Sequence, residues 1–411
     1  MNKQLSITIV IALLLNTVST VANSTQLTAK ELAKKAIIVD THIDAPSKLL
    51  AEWRDLGSTT PNREFDYSSA YSGGLNVAFM SIYTSASDDQ QGKAKQNAHI
   101  QIDSIEALIA RHPDKFGLLT SPKDIETLTA GNRILLALGM ENGAPIEDDI
   151  NQVGKFFKRG IRYITLAHSA SNRISDSSYD PQRQWSGLSP FGKNVVSEMN
   201  RIGMIVDVSH LSDKAVQDVL LLSKVPVIAS HSAFRHFTPG FERNISDELA
   251  LAIAAKGGVI QISFGIPFIN RKSADDLQTF FKEKAAITKR NQVASVSGTE
   301  LIDEKLFDKN WWDKHPIPVT PIDAVLNQFD YAIKLVGIDH VGIGSDFDGV
   351  QGALPEGLKS VADYPNLVAG LQSRGYNDEQ ITKLLGGNFI RVWTEIESGA
   401  EKASFVSSSV M

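Results

Sequence analysis

The residues of this chain best suited to chemistry are histidines and acids that follow short apolar runs. Four of its nine histidines occupy such positions. Buried ionisable groups need charged partners or a metal ion to offset the loss of hydration, so a set of them at neighbouring strand ends predicts a site. The positions are His42, Asp44, Glu141, His168, His210, His231 and Asp346.

Each of these positions carries little weight when it is taken alone. His42 and Asp44 form a two-residue pattern that many proteins contain by accident, although residues i and i+2 of a strand point the same way. An isolated Glu141 is compatible with a surface turn, and an isolated histidine with a hydrogen-bonded core residue. Asp346 could simply cap a turn. It is the joint pattern that favours a site.

The chain contains no cysteine, so any metal ion must be held by nitrogen and oxygen ligands. His42 and Asp44 are predicted to hold one ion and His210 and His231 a second, with Glu141 bridging the two. Imidazole and carboxylate ligands suit zinc, with manganese or cobalt as alternatives. Two ions about 3.5–4 Å apart lower the pKa of a bridging water and create a nucleophilic hydroxide.

The elements that must position these residues are eight short apolar runs separated by helical patterns. Most runs are continuously apolar, which is typical of strands covered on both faces. The sequence therefore predicts an α/β fold, a (β/α)8 TIM barrel, whose strand ends converge on one mouth. A doubly wound open sheet is the alternative, but it would scatter the residues along an edge. The runs are Ile37 to Asp40, Asn76 to Tyr83, Ile134 to Gly139, Arg162 to Ala167, Met204 to Ser209, Val225 to Ser230, Gly258 to Phe264, and Val341 to Ser345.

Several helix starts can be predicted from capping residues. Ser189, which precedes a proline, and Ser212 and Ser246, which precede acidic residues, are expected N-caps. Thr320, also followed by proline, is expected to cap a helix over Ile322 to Val336.

The chain divides into a leader, one large domain and a tail. Residues 1–22 have the form of a secretory signal peptide, with an uncleaved anchor as the alternative. We expect a periplasmic location without a stable membrane anchor. Residues 23–400 are predicted to form a single domain, in which 267–320 is a helical insertion after the seventh strand, forming a lid or an oligomer contact. Residues 401–411 are expected to be a flexible tail. A homodimer remains open.

The composition excludes several classes of protein. Of 411 residues, 42% are hydrophobic and 21% are charged, which is typical of a globular protein and not of a disordered chain. The 41 basic and 47 acidic residues give a net charge of −6, and no basic run is present, so nucleic acid is not an expected partner.

The sequence resembles the membrane dipeptidase family (renal dipeptidase-like, M19) of the amidohydrolase superfamily, from about Ile37 to Val392. The resemblance rests on motifs distributed over nearly the whole chain. They are Val39-Asp40-Thr41-His42-Ile43-Asp44, Thr165-Leu166-Ala167-His168-Ser169, Gly187-Leu188-Ser189-Pro190-Phe191-Gly192, Val206-Asp207-Val208-Ser209-His210, Val227-Ile228-Ala229-Ser230-His231-Ser232, Arg243-Asn244, Gly344-Ser345-Asp346-Phe347-Asp348-Gly349-Val350, and Gly387-Asn388-Phe389-Ile390-Arg391-Val392.

The resemblance implies two zinc ions in the same ligand partition and adds three roles. His168 would stabilise the oxyanion of the tetrahedral intermediate. Arg243 would bind the terminal carboxylate of the substrate through a bidentate contact. Asp346 would orient the water, accept its proton and pass it to the leaving amine. Because the chain has no cysteine, the disulfide-linked dimer and the lipid anchor of animal members do not carry over.

These observations predict a secreted dizinc dipeptidase that cleaves L-L and L-D dipeptides by a metal-bridging hydroxide. One alternative is a related amidohydrolase that opens a cyclic amide, a lactone or a β-lactam. Another is a periplasmic binding protein that has lost catalysis. Every catalytic position implied by the resemblance holds a competent residue, which argues against the binding protein.

Overall fold

The computed structural model describes residues 26–129, 131–297 and 299–408. The predicted signal peptide, residues 1–22, therefore lies outside the described residues. No helix within the described ranges is both long enough and apolar enough to span a membrane.

Eight parallel strands close into a barrel, which confirms the predicted TIM barrel and excludes the open sheet. Closure comes from the pairing of β2 with β4, after the order β2-β1-β9-β8-β7-β6-β5-β4. One additional short strand, β3, pairs with the start of β4 and was not predicted. The strands are β1 (Ile38–Ile43), β2 (Leu75–Tyr83), β3 (Phe116–Leu118), β4 (Ile134–Glu141), β5 (Ile161–Thr165), β6 (Ile205–Asp207), β7 (Ile228–Ser232), β8 (Val259–Ile262) and β9 (Val341–Ile343).

The helices surround the barrel and cover its two ends. Those before β8 are α1 (Ala29–Lys35), α2 (Ala45–Ala51), α3 (Tyr67–Gly73), α4 (Ala86–Gln90), α5 (Ala94–Arg111), α6 (Ile125–Thr129), α7 (Asn151–Lys158), α8 (Pro190–Ile202), α9 (Asp213–Leu222) and α10 (Asp247–Ala255). Those after β8 are α11 (Ile266–Ile269), α12 (Arg271–Ser297), α13 (Glu304–Lys314), α14 (Asp323–Val336), α15 (Tyr364–Ser373), α16 (Asp378–Thr382) and α17 (Asn388–Ser408).

Three of the four predicted N-caps are confirmed. The Ser189, Ser212 and Ser246 hydroxyls each accept a hydrogen bond from the backbone N–H three residues later. The prediction for Thr320 is wrong, because α14 begins at Asp323 and its N-cap residue, Ile322, makes no side-chain cap. The Thr320 hydroxyl donates instead to the Pro318 carbonyl, 3.1 Å away.

The apolar core has two parts, one inside the barrel and one between the barrel and its helices. The inner part consists of inward-facing strand residues such as Phe79 and Tyr163, together with the first two turns of α17. Trp393 of α17 is fully buried there, and its ring centroid lies 5.3 Å from that of Phe79. The end of the barrel opposite the strand carboxyl termini is therefore filled by apolar side chains, and the other end is left for chemistry.

Two segments outside the barrel bear on the predictions. The insertion after the seventh barrel strand, here β8, is helical as expected and comprises α11 to α13. At the carboxyl-terminal end, α17 continues through Ser408, and the flexible tail expected at residues 401–411 stays a prediction.

Candidate active site

The structure brings all seven of the chemistry-bearing residues to the carboxyl-terminal mouth of the barrel. His42 lies in β1, Glu141 ends β4, and His231 lies in β7. The others follow directly on strands, because Asp44 comes after β1, His168 after β5, His210 after β6 and Asp346 after β9. Backbone hydrogen bonds from Asp346 N to His42 O and from Asp44 N to Phe347 O join the β1 and β9 loops.

The carboxylate of Glu141 is the point on which the imidazoles converge. Its Oε1 lies 3.1 Å from His210 Nε2, 3.3 Å from His231 Nε2 and 3.5 Å from His168 Nε2. Its Oε2 lies 3.5 Å from His42 Nε2, which in turn is 3.3 Å from Asp44 Oδ2. One carboxylate thus contacts four imidazoles through different oxygens, as a bridging ligand must.

The donor set is continuous and fits metal ions. Its ligand atoms fall into overlapping trios whose members lie within 4.8 Å of one another. His42 Nε2 is buried and has no hydrogen-bond partner among the described residues. Nitrogen and oxygen donors of this kind suit zinc and similar divalent ions. The trios are His42, Glu141 and His231; Glu141, His168 and His210; and His42, Asp44 and Asp346.

The hydrogen bond at the other ring nitrogen leaves His42 Nε2 free to bind a metal. The Tyr163 hydroxyl donates its one hydrogen to the Thr41 carbonyl, 3.1 Å away. It must therefore accept the Nδ1–H of His42, at 2.9 Å. The Nε2 lone pair of His42 then points at Asp44 and Glu141, which is the role of an outer hydrogen-bond partner in a metal site.

His231 is likewise oriented by a hydrogen bond at its Nδ1. The Ser230 hydroxyl donates to Asp207 Oδ2 at 2.6 Å and so accepts from His231 Nδ1 at 2.8 Å. His231 Nε2 thereby keeps a lone pair, and it lies only 2.7 Å from His210 Nε2. A cation bound by both nitrogens would satisfy this close approach.

The pKa shifts of the site residues reflect the burial of several acidic side chains close together. Burial raises the pKa of Asp346, and the nearby Asp44 raises it further, to about 8 in the metal-free site. Burial also opposes ionisation of Glu141, but its interactions with His42 and His168 and its hydrogen bonds with His210 and His231 outweigh this and hold its pKa well below the usual range. Burial lowers the pKa of His168, and Glu141 only partly restores it. Bound cations would compensate the acidic side chains.

His168 and Arg243 flank this donor set. The side chain of His168 remains 17% exposed, and the Tyr83 ring packs edge-on against it at 4.8 Å. Arg243, on the loop between β7 and α10, is 3% exposed. Its guanidinium donates to the His231 carbonyl at 2.7 Å and to Ser232 Oγ at 3.1 Å. Its Nε has no partner among the described residues, so one donor is left over.

The backbone is strained at two of the site residues. His210 and Asp346 have φ values of 68° and 69°, a left-handed conformation that is uncommon for residues with a Cβ and clusters at functional sites. Close by, Gly349 is required for space, because a Cβ there would lie 2.3 Å from both Asp346 Oδ1 and Asp44 Oδ2.

A cavity of about 1020 Å³ lies over the site. Its floor includes Glu141, His210 and Asp346, and its opposite wall comes from the insertion, through side chains such as Phe281 and Trp312. Arg243 is not among the lining residues, but it contacts two residues that are, since its Nη2 lies 3.1 Å from His210 Nε2 and its guanidinium 4.9 Å from the Phe268 ring.

Sequence reasoning missed the residues that orient the donors. These are Tyr163, Asp207 and Ser230, described above, and Ser81, whose hydroxyl donates to Glu141 Oε2 at 3.2 Å. A polar side chain within an otherwise apolar strand was the one available signal, and it does not say which histidine the side chain will reach.

Comparison with known proteins identifies a family over nearly the whole chain. A model of the membrane dipeptidase family (peptidase family M19) matches residues 26–407. The dipeptidase ataJ of Aspergillus terreus is 30% identical over 404 residues, which cover 90% of this chain and 87% of ataJ.

Solved structures agree with this match. A Pseudomonas aeruginosa protein described as the probable dipeptidase PvdM is 28% identical, with a TM-score of 0.77 over 90% of this chain and 98% of that one. A metallopeptidase from Rhodobacter sphaeroides, solved with a phosphinate mimic of the dipeptide L-Ala-D-Ala, shares the fold with a TM-score of 0.71. It is 21% identical and covers 88% of this chain and 99% of its own.

Proposed function

Because the chain belongs to the membrane dipeptidase family, a family of metal-dependent hydrolases, we propose that it is a secreted dizinc dipeptidase that cleaves the single peptide bond of dipeptides. The observation that carries the proposal is the convergence of four imidazole Nε2 atoms on the Glu141 carboxylate, 3.1 to 3.5 Å away. Such a donor set is expensive to bury unless it binds metal ions.

The proposed metal ligands are those predicted from the sequence. His42 and Asp44 would hold one zinc, His210 and His231 the other, and Glu141 would contribute to both. When bound, such ions polarise a carbonyl oxygen and lower the pKa of bound water. Tyr163 and Ser230 keep the coordinating nitrogens of their histidines unprotonated and correctly oriented.

The chain's own residues would then bind the substrate and move the proton. His168, at the cavity surface and 3.5 Å from Glu141, is placed to donate to the oxyanion that develops at the scissile carbonyl. Asp346 lines the same cavity within 4.8 Å of the His42 and Asp44 donor atoms. From there it would take a proton from the attacking water and deliver it to the leaving amine.

Recognition of a free carboxylate beside the metal site would place a single residue after the scissile bond, as in a dipeptide. Arg243 is held by the His231 carbonyl and Ser232 and has an unpaired Nε–H, so a carboxylate could accept from a guanidinium that is already oriented. A D-residue at the carboxyl-terminal position is included in the proposal, because the Rhodobacter protein of the same fold binds a mimic of L-Ala-D-Ala. Secretion is proposed from the form of residues 1–22 alone.

The proposal is tested by assaying metal-quantified protein on L-L and L-D dipeptides, with a cyclic amide, a lactone and a β-lactam as competitors. We expect about two zinc ions per chain, release of free amino acids, and loss of activity with EDTA. Asp346→Asn should keep its metal and lose at least about 100-fold in kcat, as expected for removal of a general acid-base group.

The matched control is Asp148→Asn, since that side chain is 78% exposed and should leave kcat unchanged. Turnover of the ring substrates with inert linear dipeptides would overturn the proposal. Metal-loaded Asp346→Asn with the parent's kcat would remove the proton-transfer role.

A further inference from the structure

Aromatic rings, all but one of them from the insertion after β8, form a wall of the cavity that begins next to the metal ligands. We define the aromatic wall as the side chains of Tyr179, Phe268, Phe280, Phe281 and Trp312, all of which line the cavity. Two of them belong to α12 and one to α13.

Four of the five rings are in continuous contact from the metal site outward. The Tyr179 centroid lies 5.9 Å from that of His210 and 4.4 Å from that of Phe281. Phe281 lies 5.5 Å from Phe280, which lies 5.3 Å from Trp312. A side chain extending from a substrate at the metal site therefore meets apolar surface at once.

The wall is held firmly by the two insertion helices. Phe280 is 7% exposed and packs between α12 and α13, with ring centroids 5.8 Å from Phe307 and 6.0 Å from Trp311. Charge beside the wall is neutralised internally, because Lys284 of α12 pairs with Asp308 of α13 at 2.5 Å. The aromatic rings that α12 and α13 present to the cavity are therefore supported from behind.

The cavity is also larger than a small dipeptide requires. Its volume of about 1020 Å³ stands at the upper end of the roughly 300–1,000 Å³ of pockets that enclose drug-sized ligands, and dialanine has far fewer atoms than such a ligand. The aromatic wall lines part of this cavity, so a large apolar side chain placed against it would remove apolar surface from water.

The wall lies on the side of the site that would hold the substrate's carboxyl-terminal residue. The Arg243 guanidinium lies 4.9 Å from the Phe268 ring and 3.1 Å from His210 Nε2, and the Tyr179 ring centroid lies 5.9 Å from that of His210. In the carboxyl-terminal residue, the carboxylate carbon and the Cβ of the side chain are bonded to the same Cα. They therefore lie only two bonds apart. If Arg243 binds the carboxylate, the side chain of the carboxyl-terminal residue must lie close to the rings of Phe268 and Tyr179.

We infer that the aromatic wall is a specificity subsite, and that the preferred substrates are dipeptides with a large aromatic or branched aliphatic residue at the carboxyl-terminal position. The inference rests on the proposed dipeptidase function and names the substrate class for that site. Small carboxyl-terminal residues bind without filling the cavity and are poorer substrates.

The test compares kcat/KM for Ala-Phe, Ala-Leu, Ala-Gly and Phe-Ala, in L-L and, where the residue is chiral, L-D form, on metal-quantified protein. We expect Ala-Phe to exceed both Ala-Gly and Phe-Ala by about 10- to 100-fold, the range that one well-filled apolar pocket supplies. Phe281→Ala and Trp312→Ala should each reduce the ratio of Ala-Phe to Ala-Gly by about tenfold, mainly through KM. Phe281→Leu should restore part of it.

Leu306→Ala is the matched control, because Leu306 is an apolar residue of the insertion that is 53% exposed and lies away from the cavity. In this variant the ratio of kcat/KM for Ala-Phe to that for Ala-Gly should equal the ratio of the parent protein. Calorimetric titration with phosphinate dipeptide mimics bearing a benzyl or a methyl group should show the same preference in Kd and the same loss in Phe281→Ala.

The outcomes separate this inference from the function on which it rests. Two results would overturn the subsite without contradicting the dipeptidase function. One is cleavage of all the dipeptides with equal kcat/KM, and the other is a ratio of Ala-Phe to Ala-Gly that is unchanged in both Phe281→Ala and Trp312→Ala. A preference for Phe-Ala over Ala-Phe would overturn the carboxyl-terminal assignment. If none of the dipeptides is cleaved, the proposed function fails and the subsite fails with it.

Discussion

At the scale of single residues, the hydroxyl of Tyr163 orients the ring of His42 and fixes which of its nitrogens is unprotonated. Its ring crosses β4 at Gly139, where a Cβ would lie 2.0 Å from the Tyr163 Cζ, so only glycine permits the ring to lie there. From this position the hydroxyl accepts the Nδ1–H of His42 and leaves Nε2 unprotonated. Orientation of a ligand by an outer hydrogen bond contributes to metal affinity.

We therefore predict that Tyr163→Phe weakens metal binding by about 10- to 100-fold, the usual effect of losing an outer-sphere partner. The ring and its packing remain, so the fold should persist. Competition with a fluorescent chelator measures the affinity, and circular dichroism checks the fold.

Tyr331→Phe is the control for this substitution. Tyr331 also donates its hydroxyl to a side chain, Asp247, at 2.6 Å, but it lies among helices outside the site. It should keep the parent's metal affinity. Equal affinity in Tyr163→Phe and the parent would show that His42 needs no such orientation.

At this scale the sequence predicted the residues that converge at the barrel mouth, but not their environment. His42, Glu141, His210, His231 and the other donors could be predicted because their residue types are unusual at the ends of apolar runs. The partner of His42 is 121 positions away along the chain, and no local pattern pairs two such residues. Histidine and aspartate adopt positive φ more often than most residues, but residue type alone does not specify the left-handed φ of His210 and Asp346.

At the scale of elements, α17 is the helix that fills the barrel's far end. Trp393 is fully buried against Phe79 and Phe389. We predict that Trp393→Ala destabilises the protein by about 3–5 kcal/mol, because it removes a large side chain from a packed core and leaves a cavity. Thermal or denaturant unfolding measures the loss.

Trp53→Ala provides the comparison, since Trp53 is 43% exposed and its removal should cost less than about 1 kcal/mol. Similar losses for the two variants would mean that α17 does not stabilise the barrel. Metal stoichiometry at low temperature should remain at the parent's value in both, because neither side chain contacts a ligand.

Elements were predicted well where their signals are local. The eight barrel strands are apolar runs, and the three serine N-caps act on backbone groups within three residues. The short strand Phe116–Leu118 was missed because three residues carry little pattern and it forms only by pairing with β4. The prediction that Thr320 caps α14 was wrong, because the helix begins at Asp323 and the Thr320 hydroxyl donates to the Pro318 carbonyl.

At the scale of the whole molecule, the donor set links distant parts of the barrel. Glu141 on β4 contacts His42 on β1 and His231 on β7, so bound ions would tie together strands far apart in the chain. We predict that metal removal lowers the melting temperature by several degrees, since ligand present at 100 times its Kd stabilises the folded state by about 2.7 kcal/mol. Calorimetry of metal-loaded and EDTA-treated protein measures the shift.

Glu141→Ala should abolish this metal-dependent shift, because it removes the carboxylate common to the imidazoles. His112→Ala should retain it, since His112 pairs with Asp55 outside the site. A shift of the same size in Glu141→Ala would place the stabilising metal elsewhere.

The sequence by itself determined the strand-helix alternation, the chemistry of the donors and the family, since each depends on residue types and local spacing. Only the tertiary structure decided which hydroxyl orients which histidine and where the insertion stands over the cavity. It also decided that Arg243 is buried beside the Phe268 ring and His210. These relations join residues far apart in the chain, and they arise only when the barrel closes and the helices pack against it.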